Sequence, residues 1–152
     1  MSASPIGTPV RDELEADPRV SWVEDVLRFG DTDANGHINN AVYSVLCESG
    51  RVNLFHTRLT GVFEDRRYFV IARFAIEYRR ELLYPGRVST ATWITRLGNS
   101  SIGLAQGVFG EAGLAAEAEA TCVLMDGATR RATPFPPALR ALIESSLRPA
   151  VP

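Results

Sequence analysis

The ten residues Asp31 to Asn40, DTDANGHINN, bring two carboxylates, three carboxamides and one of the chain's two histidines beside a glycine. Carboxylates and imidazoles move protons, and carboxamides orient water or a carbonyl, so the run has the side chains for acid/base chemistry. Two metal chemistries compete for the same letters. Asp31, Asp33, Asn35 and Gly36 fall at positions 1, 3, 5 and 6 of a calcium-binding helix–loop–helix, with Ile38 at the apolar position 8. Position 12 of such a loop is a bidentate Glu; here it is Val42, and a strand pattern rather than a helix precedes the run. A transition-metal site on His37 with Asp31 and Asp33 lacks a second His or Cys at ligand spacing. The run therefore implies no metal. The plain structural alternative is a turn whose Asp, Asn and Gly satisfy backbone groups and cap a helix. Asp31 fits that role, but the turn alone does not account for Asp33, Asn35 and His37 occurring together.

The flanking patterns say what holds the run. Residues 20–29, VSWVEDVLRF, are rich in aromatic and β-branched side chains and read as a strand. From Asn40 to about Leu59 apolar residues recur at three- and four-residue spacing, which predicts a helix with Val42, Val45, Leu46, Ser49, Val52 and Phe55 on its buried face. Asn39 or Asn40 caps its start, Glu48 can pair with Arg51 across one turn, and Gly61 ends it. Strands are expected at 67–80, 87–97, 101–109 and 114–125, separated by the turn signals Pro85-Gly86, Gly98-Asn99-Ser100 and Gly110-Glu111-Ala112-Gly113. A short helix is expected at 137–147 behind Pro134, Pro136 and Pro137. Short turns make the strands antiparallel neighbours. One long helix followed by such strands is an α+β design, a helix wrapped by a curved antiparallel sheet.

The 152 residues suffice for one domain with a normal core. Residues 1–18 read as a flexible N-terminal tail and 19–148 as the single domain. A net charge of −2 gives no electrostatic basis for nucleic acid or a membrane surface as partner. All sixteen basic residues are Arg. Cys47 and Cys122 lie in apolar stretches without metal spacing and read as buried free thiols, in keeping with a cytoplasmic protein that has neither secretory signal nor membrane span.

The segment DTDANGHINNAVYSVLCES, with its acidic, amide and histidine positions, resembles the signature of hotdog-fold acyl thioesterases. These include the 4-hydroxybenzoyl-CoA thioesterase-like enzymes and the acyl-ACP thioesterases, whose run has the form D-x-D-x-N-x-H-V-N-N. IEYRRE at 76–81 resembles their downstream strand, and the likeness extends from residue 22 to about 125. The resemblance implies a hotdog fold and hydrolysis of an acyl-CoA or acyl-ACP thioester, with no cofactor. It matches Asp33 to the carboxylate that serves as base or nucleophile. Asn35 and His37 match polar catalytic positions of the acyl-ACP branch, and Glu81 an additional carboxylate there. Other hotdog enzymes use a carboxylate from the central helix, for which Glu48 is the candidate. The resemblance also implies a homodimer or homotetramer with sites at subunit interfaces.

Thioester hydrolysis suits these residues. Free N–H groups at Asn39 and Asn40, at the positive end of the helix, can polarise the carbonyl, and one such donor is worth about 3–4 kcal/mol in the transition state. The thiolate leaves without much acid assistance, because a thiol has a pKa of only about 8.5. The doublets Arg66-Arg67 and Arg130-Arg131 are candidates for the phosphates of coenzyme A. Two other readings share the same fold: an acyl-CoA-binding or assembly protein that keeps the run only as a cap, and a hydratase or dehydratase.

Overall fold

In the computed structural model, which describes residues 8–149, the expected elements are present with small changes at their ends. In chain order they are α1 (Arg11–Glu15), β1 (Ser21–Val26), α2 (Asn40–Arg58), β2 (Arg67–Tyr78), β3 (Arg87–Leu97), β4 (Ser101–Gly110), β5 (Gly113–Asp126), β6 (Arg131–Ala132) and α3 (Pro137–Ser145). The strands form one antiparallel sheet in the order β1-β3-β4-β5-β2, with β6 paired to the end of β5. The fold is α+β, a central helix held in a curved sheet, as in the hotdog fold.

Strand alternation explains β5, whose Ala and Glu content is unusual for a strand. Ala116, Ala118, Ala120, Cys122 and Leu124 point to the helix side and belong to its two core clusters. Glu117 and Glu119 point to the other side and bind Arg79 and Arg73.

Two expectations change. The buried side of α2 is Tyr43, Leu46, Cys47, Gly50, Arg51, Leu54 and Phe55. Val45 and Val52 are 57% and 44% exposed. The helix is thus rotated by about one residue from the predicted stripe, because its contact face includes a glycine and an arginine that a hydrophobicity pattern does not count. Arg51 consequently pairs with neither Glu48 nor any other carboxylate among the described residues: it is buried, donates to Gln106 Oε1 (3.0 Å) and lies over the Phe74 ring. The second change concerns the expected tail. Residues 1–7 lie outside the described residues, but 11–15 form α1, whose Leu14 is 1% exposed and packs with Val20, Ala91, Trp93, Ala105 and Phe109 on the convex face of the sheet. Asp17 pins this segment by accepting from Arg19 and from Arg148 near the other end of the chain.

Candidate active site

The DTDANGHINN run folds as a miniature hairpin. Thr32 bridges Ile38, Asp33 N–H donates to the His37 carbonyl (3.0 Å), and Gly36 N–H donates to the Asp33 carbonyl (3.1 Å). Gly36 has φ +83°, a left-handed conformation that glycine adopts without strain. Asp33 Oδ1 accepts from Asn35 N–H (2.8 Å), an Asx turn that fixes the carboxylate. Ile38, 1% exposed, anchors the hairpin to the core, and its N–H donates to the Leu82 carbonyl (2.9 Å). Asp31 binds Arg28 N–H (2.8 Å) and closes the turn before the hairpin.

Asn39 is the cap of α2, its Oδ1 accepting from Ala41 N–H (2.9 Å). Of the two expected donors, Asn39 N–H is taken by the Asp31 carbonyl (2.9 Å), which closes the hairpin, whereas Asn40 N–H has no partner among the described residues. That leaves an unengaged donor at the positive end of a 19-residue helix, the geometry for receiving a developing negative charge.

Beside that donor lies a cleft of about 280 Å³ lined by His37, Asn40, Tyr43, Tyr78, Arg79, Arg80 and Glu81. The structure therefore brings His37 and Asn40 of the DTDANGHINN run together with Glu81 from beyond β2. Asp33 stands behind His37: its Oδ2 is 3.7 Å from His37 Nδ1, and their side chains are 21% and 30% exposed. Asn35 is exposed at the hairpin tip. A second cavity, about 390 Å³, lies between the 80–87 linker and the 110–113 turn and shares Arg80 and Glu81 with the first. Its floor is apolar, with Leu27, Leu82 and Ala115.

Two tyrosines in this site were not singled out from sequence. Tyr43 accepts from Leu82 N–H (3.0 Å) and donates to the Arg80 carbonyl (3.1 Å), while Tyr78 donates to the Asn40 carbonyl (3.3 Å). Their rings meet edge to face, with centroids 5.2 Å apart. Burial holds the Tyr43 phenol above its ordinary pKa, so it keeps its proton. The signal was available: Tyr43 is the fourth residue of a helix whose buried side starts there, and Tyr78 ends the strand that leads into the linker carrying Glu81.

Other candidates lie elsewhere. Glu48 is exposed on the outer side of α2 and lines neither cavity. Arg66, Arg67, Arg130 and Arg131 sit at the far end of the molecule, where the start of β2 meets the β5–β6 turn. Among the described residues, no group of three His, Cys, Asp or Glu side chains is placed to hold a metal, and no helix is long and apolar enough to cross a membrane.

Residues 27–143, which include the hairpin, the central helix and all of the long strands after it, match the model of the thioesterase-like superfamily. The chain belongs to this superfamily. A Thermus thermophilus thioesterase solved with coenzyme A and zinc is 31% identical, with a TM-score of 0.73 over 81% of this chain and 96% of that one. A structure described as a predicted thioesterase from Bacillus stearothermophilus is 25% identical, with a TM-score of 0.78 over 86% and 98%. DHNA-CoA thioesterase from Staphylococcus aureus, 19% identical over 83% and 89%, shares the fold with a TM-score of 0.74. No curated protein matches the chain.

Proposed function

We propose that this superfamily member hydrolyses an acyl-CoA thioester, with acyl-ACP as the alternative carrier, at the cleft beside the start of α2. The observation that carries this reading is the Asp33–His37 pair next to an unengaged helix N–H. The thioester oxygen takes the Asn40 N–H. A water positioned by His37 and Asp33 loses a proton to this pair as its oxygen bonds to the carbonyl carbon. The alternative within the same site is direct attack by the Asp33 carboxylate, giving an anhydride that water then opens. In both routes the C–S bond breaks as the tetrahedral adduct collapses. The thiolate takes the proton, and the products are a free acid and a thiol. Glu81, between the two cavities, orients the water or the acyl group. Asn35 holds the Asp33 turn through its backbone N–H, and the larger cavity offers space for the acyl chain. Glu48 receives no role within one chain.

The 31% identity to a thioesterase complexed with coenzyme A supports the CoA thioester over the carrier-protein substrate. The test is steady-state hydrolysis of an acyl-CoA and acyl-ACP panel by wild type, Asp33→Asn and His37→Ala. Losing positioned acid/base assistance is expected to lower kcat by about 10²–10⁴ in Asp33→Asn, with the melting temperature retained. Wild-type rates in Asp33→Asn overturn the role of Asp33. A wild type that binds acyl-CoA but hydrolyses none of the panel makes the protein an acyl-binding module.

A further inference from the structure

The larger cavity lies across the end of the sheet rather than along a strand. It shares Arg80 and Glu81 with the cleft beside Asn40 and extends to Gly86 and Arg87, where β3 starts. In the sheet order, β5 and β4 lie between the end of β2 and the start of β3. Three inter-strand steps of ~4.8 Å make this path about 14 Å long. The Arg80 guanidinium donates to the Ala112 carbonyl and ties the 80–87 linker to the 110–113 turn on the other side of the cavity.

The wall chemistry selects what can lie there. The floor residues Leu27, Leu82 and Ala115 are buried. The four charged residues around the cavity, Arg80, Glu81, Arg87 and Glu111, are all exposed and belong to its rim. A charged or strongly polar acyl tail finds no buried partner on such a floor and loses its hydration there, whereas a hydrocarbon chain gives up none. The apolar surface also continues outside the cavity. Leu83 and Tyr84, which line it, are half-exposed, and the Tyr84 ring meets Phe29, 74% exposed, edge to face with centroids 5.7 Å apart. Adjoining large apolar side chains left open to water in this way mark a ligand groove.

Length decides between short and long chains. An extended chain advances ~3.6 Å per three bonds, so about twelve bonds cover the path from the cleft to Arg87. Phe29 follows β1, which lies one strand beyond β3. That further step of ~4.8 Å takes about four more bonds. A short or aromatic acyl group held at Asn40 leaves most of the cavity and all of the lip uncovered. We propose that the cleft acts on long-chain acyl groups, of about sixteen carbons, which cross the end of the sheet in the larger cavity and rest their last methylenes on the lip of Leu83, Tyr84 and Phe29. This rests on the thioesterase reading above and adds the identity of its acyl group.

The test compares kcat/KM over a series of saturated acyl-CoA chain lengths, each below its micelle-forming concentration, for wild type and Phe29→Ser/Leu83→Ser. A methylene fully removed from water strengthens binding about fourfold, and one with a wet side about twofold. Across the four methylenes that rest on the lip, wild type is therefore expected to prefer palmitoyl-CoA to lauroyl-CoA by about sixteenfold. In the double variant this ratio is expected to fall close to one. Both replaced side chains are exposed, and a ratio taken within one preparation does not depend on how much of it is folded. A wild-type optimum at lauroyl-CoA or a shorter chain overturns the proposal, and so does a ratio that the double variant leaves unchanged. If wild type hydrolyses no acyl-CoA of any length, the thioesterase reading fails separately. Displacement of a fluorescent fatty acid by laurate and palmitate then decides the track. Palmitate binding about tenfold tighter in wild type but not in the double variant supports it; equal binding of the two acids to wild type refutes it.

Discussion

Gly50→Ala puts a methyl group where α2 touches the sheet most closely. A Cβ at this position would lie 2.6 Å from Thr92 Oγ1, 3.0 Å from Gln106 Nε2 and 3.1 Å from Thr90 Cγ2. Comfortable non-bonded separations are about 3.5–4.0 Å, so the helix or the strands must yield by close to an ångström. The atoms in the way cannot move freely. Gln106 Nε2 donates to the Cys47 carbonyl and to Thr92 Oγ1 (2.8 Å each), and its Oε1 accepts from Arg51. Thr92 and Gln106 are 0% exposed, so a bond broken here finds no water. Overpacking costs about 1–3 kcal/mol, one orphaned buried polar group about 1–3, and replacing glycine in a helix returns about 1. The net is a loss of about 1–5 kcal/mol, or about 3 as a central figure. At roughly 2–4 °C per kcal/mol for a chain of this size, the melting temperature falls by about 6–12 °C. Urea titration checks this: the midpoint drops while the slope is unchanged. A variant as stable as wild type, or more so, would show that helix propensity governs this position and that the Gly50–Thr92–Gln106 contact does not set the helix-to-sheet spacing.

Two further predictions concern stability and reactivity. The Arg19 guanidinium, assisted by Arg148, holds the Asp17 carboxyl well below its ordinary pKa, so the ionised group stabilises the fold above about pH 4 and loses this contribution as the pH falls toward the depressed value. Asp17→Asn is expected to cost about 1.5–3 kcal/mol at neutral pH, the range for hydrogen bonds to a charged group; denaturation at several pH values checks that the deficit shrinks in acid, and a constant deficit refutes the charge argument. Burial pushes the thiol of Cys47 up to about 12 and that of Cys122 up to about 11, so neither is a nucleophile in the native state. Both are expected to react with a thiol reagent only at the rate of unfolding, and rapid labelling of the folded protein contradicts their burial.

The elements were legible where local chemistry decides them. Asn39 as cap, Pro85-Gly86 as turn and Arg87–Leu97 as strand follow from short-range preferences that the fold keeps. What depends on closeness between distant segments was not legible. Val45 and Val52 read as core and are exposed, because the approach of α2 to β3 and β4 requires Gly50, and a hydropathy pattern gives a glycine no weight. Leu14 read as part of a tail, since nothing local shows that the convex face of the sheet also needs cover around Trp93 and Phe109. In the site itself, the spacing from Asp33 to His37 was informative because a hairpin is a local structure. The positions of Glu81 and Tyr78 were not, since they depend on how β2 ends against the start of α2.

That dependence bears on how the cleft works. Its donor, Asn40 N–H, is held from three sides: Asn39 caps the helix, Ile38 ties the hairpin to Leu82, and Tyr78 binds the Asn40 carbonyl. Tyr43 locks the same linker by bonding both Arg80 and Leu82. A donor fixed this firmly would need little reorganisation if charge developed on a thioester oxygen there, as in the proposed reaction, which is the condition under which such a group lowers a barrier. The linker that these bonds hold also carries Glu81, so helix terminus and carboxylate keep a set relation. The hairpin tip is different: Asp33 and His37 are partly exposed and 3.7 Å apart, a separation that a bound water or substrate can close. In the proposed reaction the rigid half of the site would receive charge, and the looser half would move the proton.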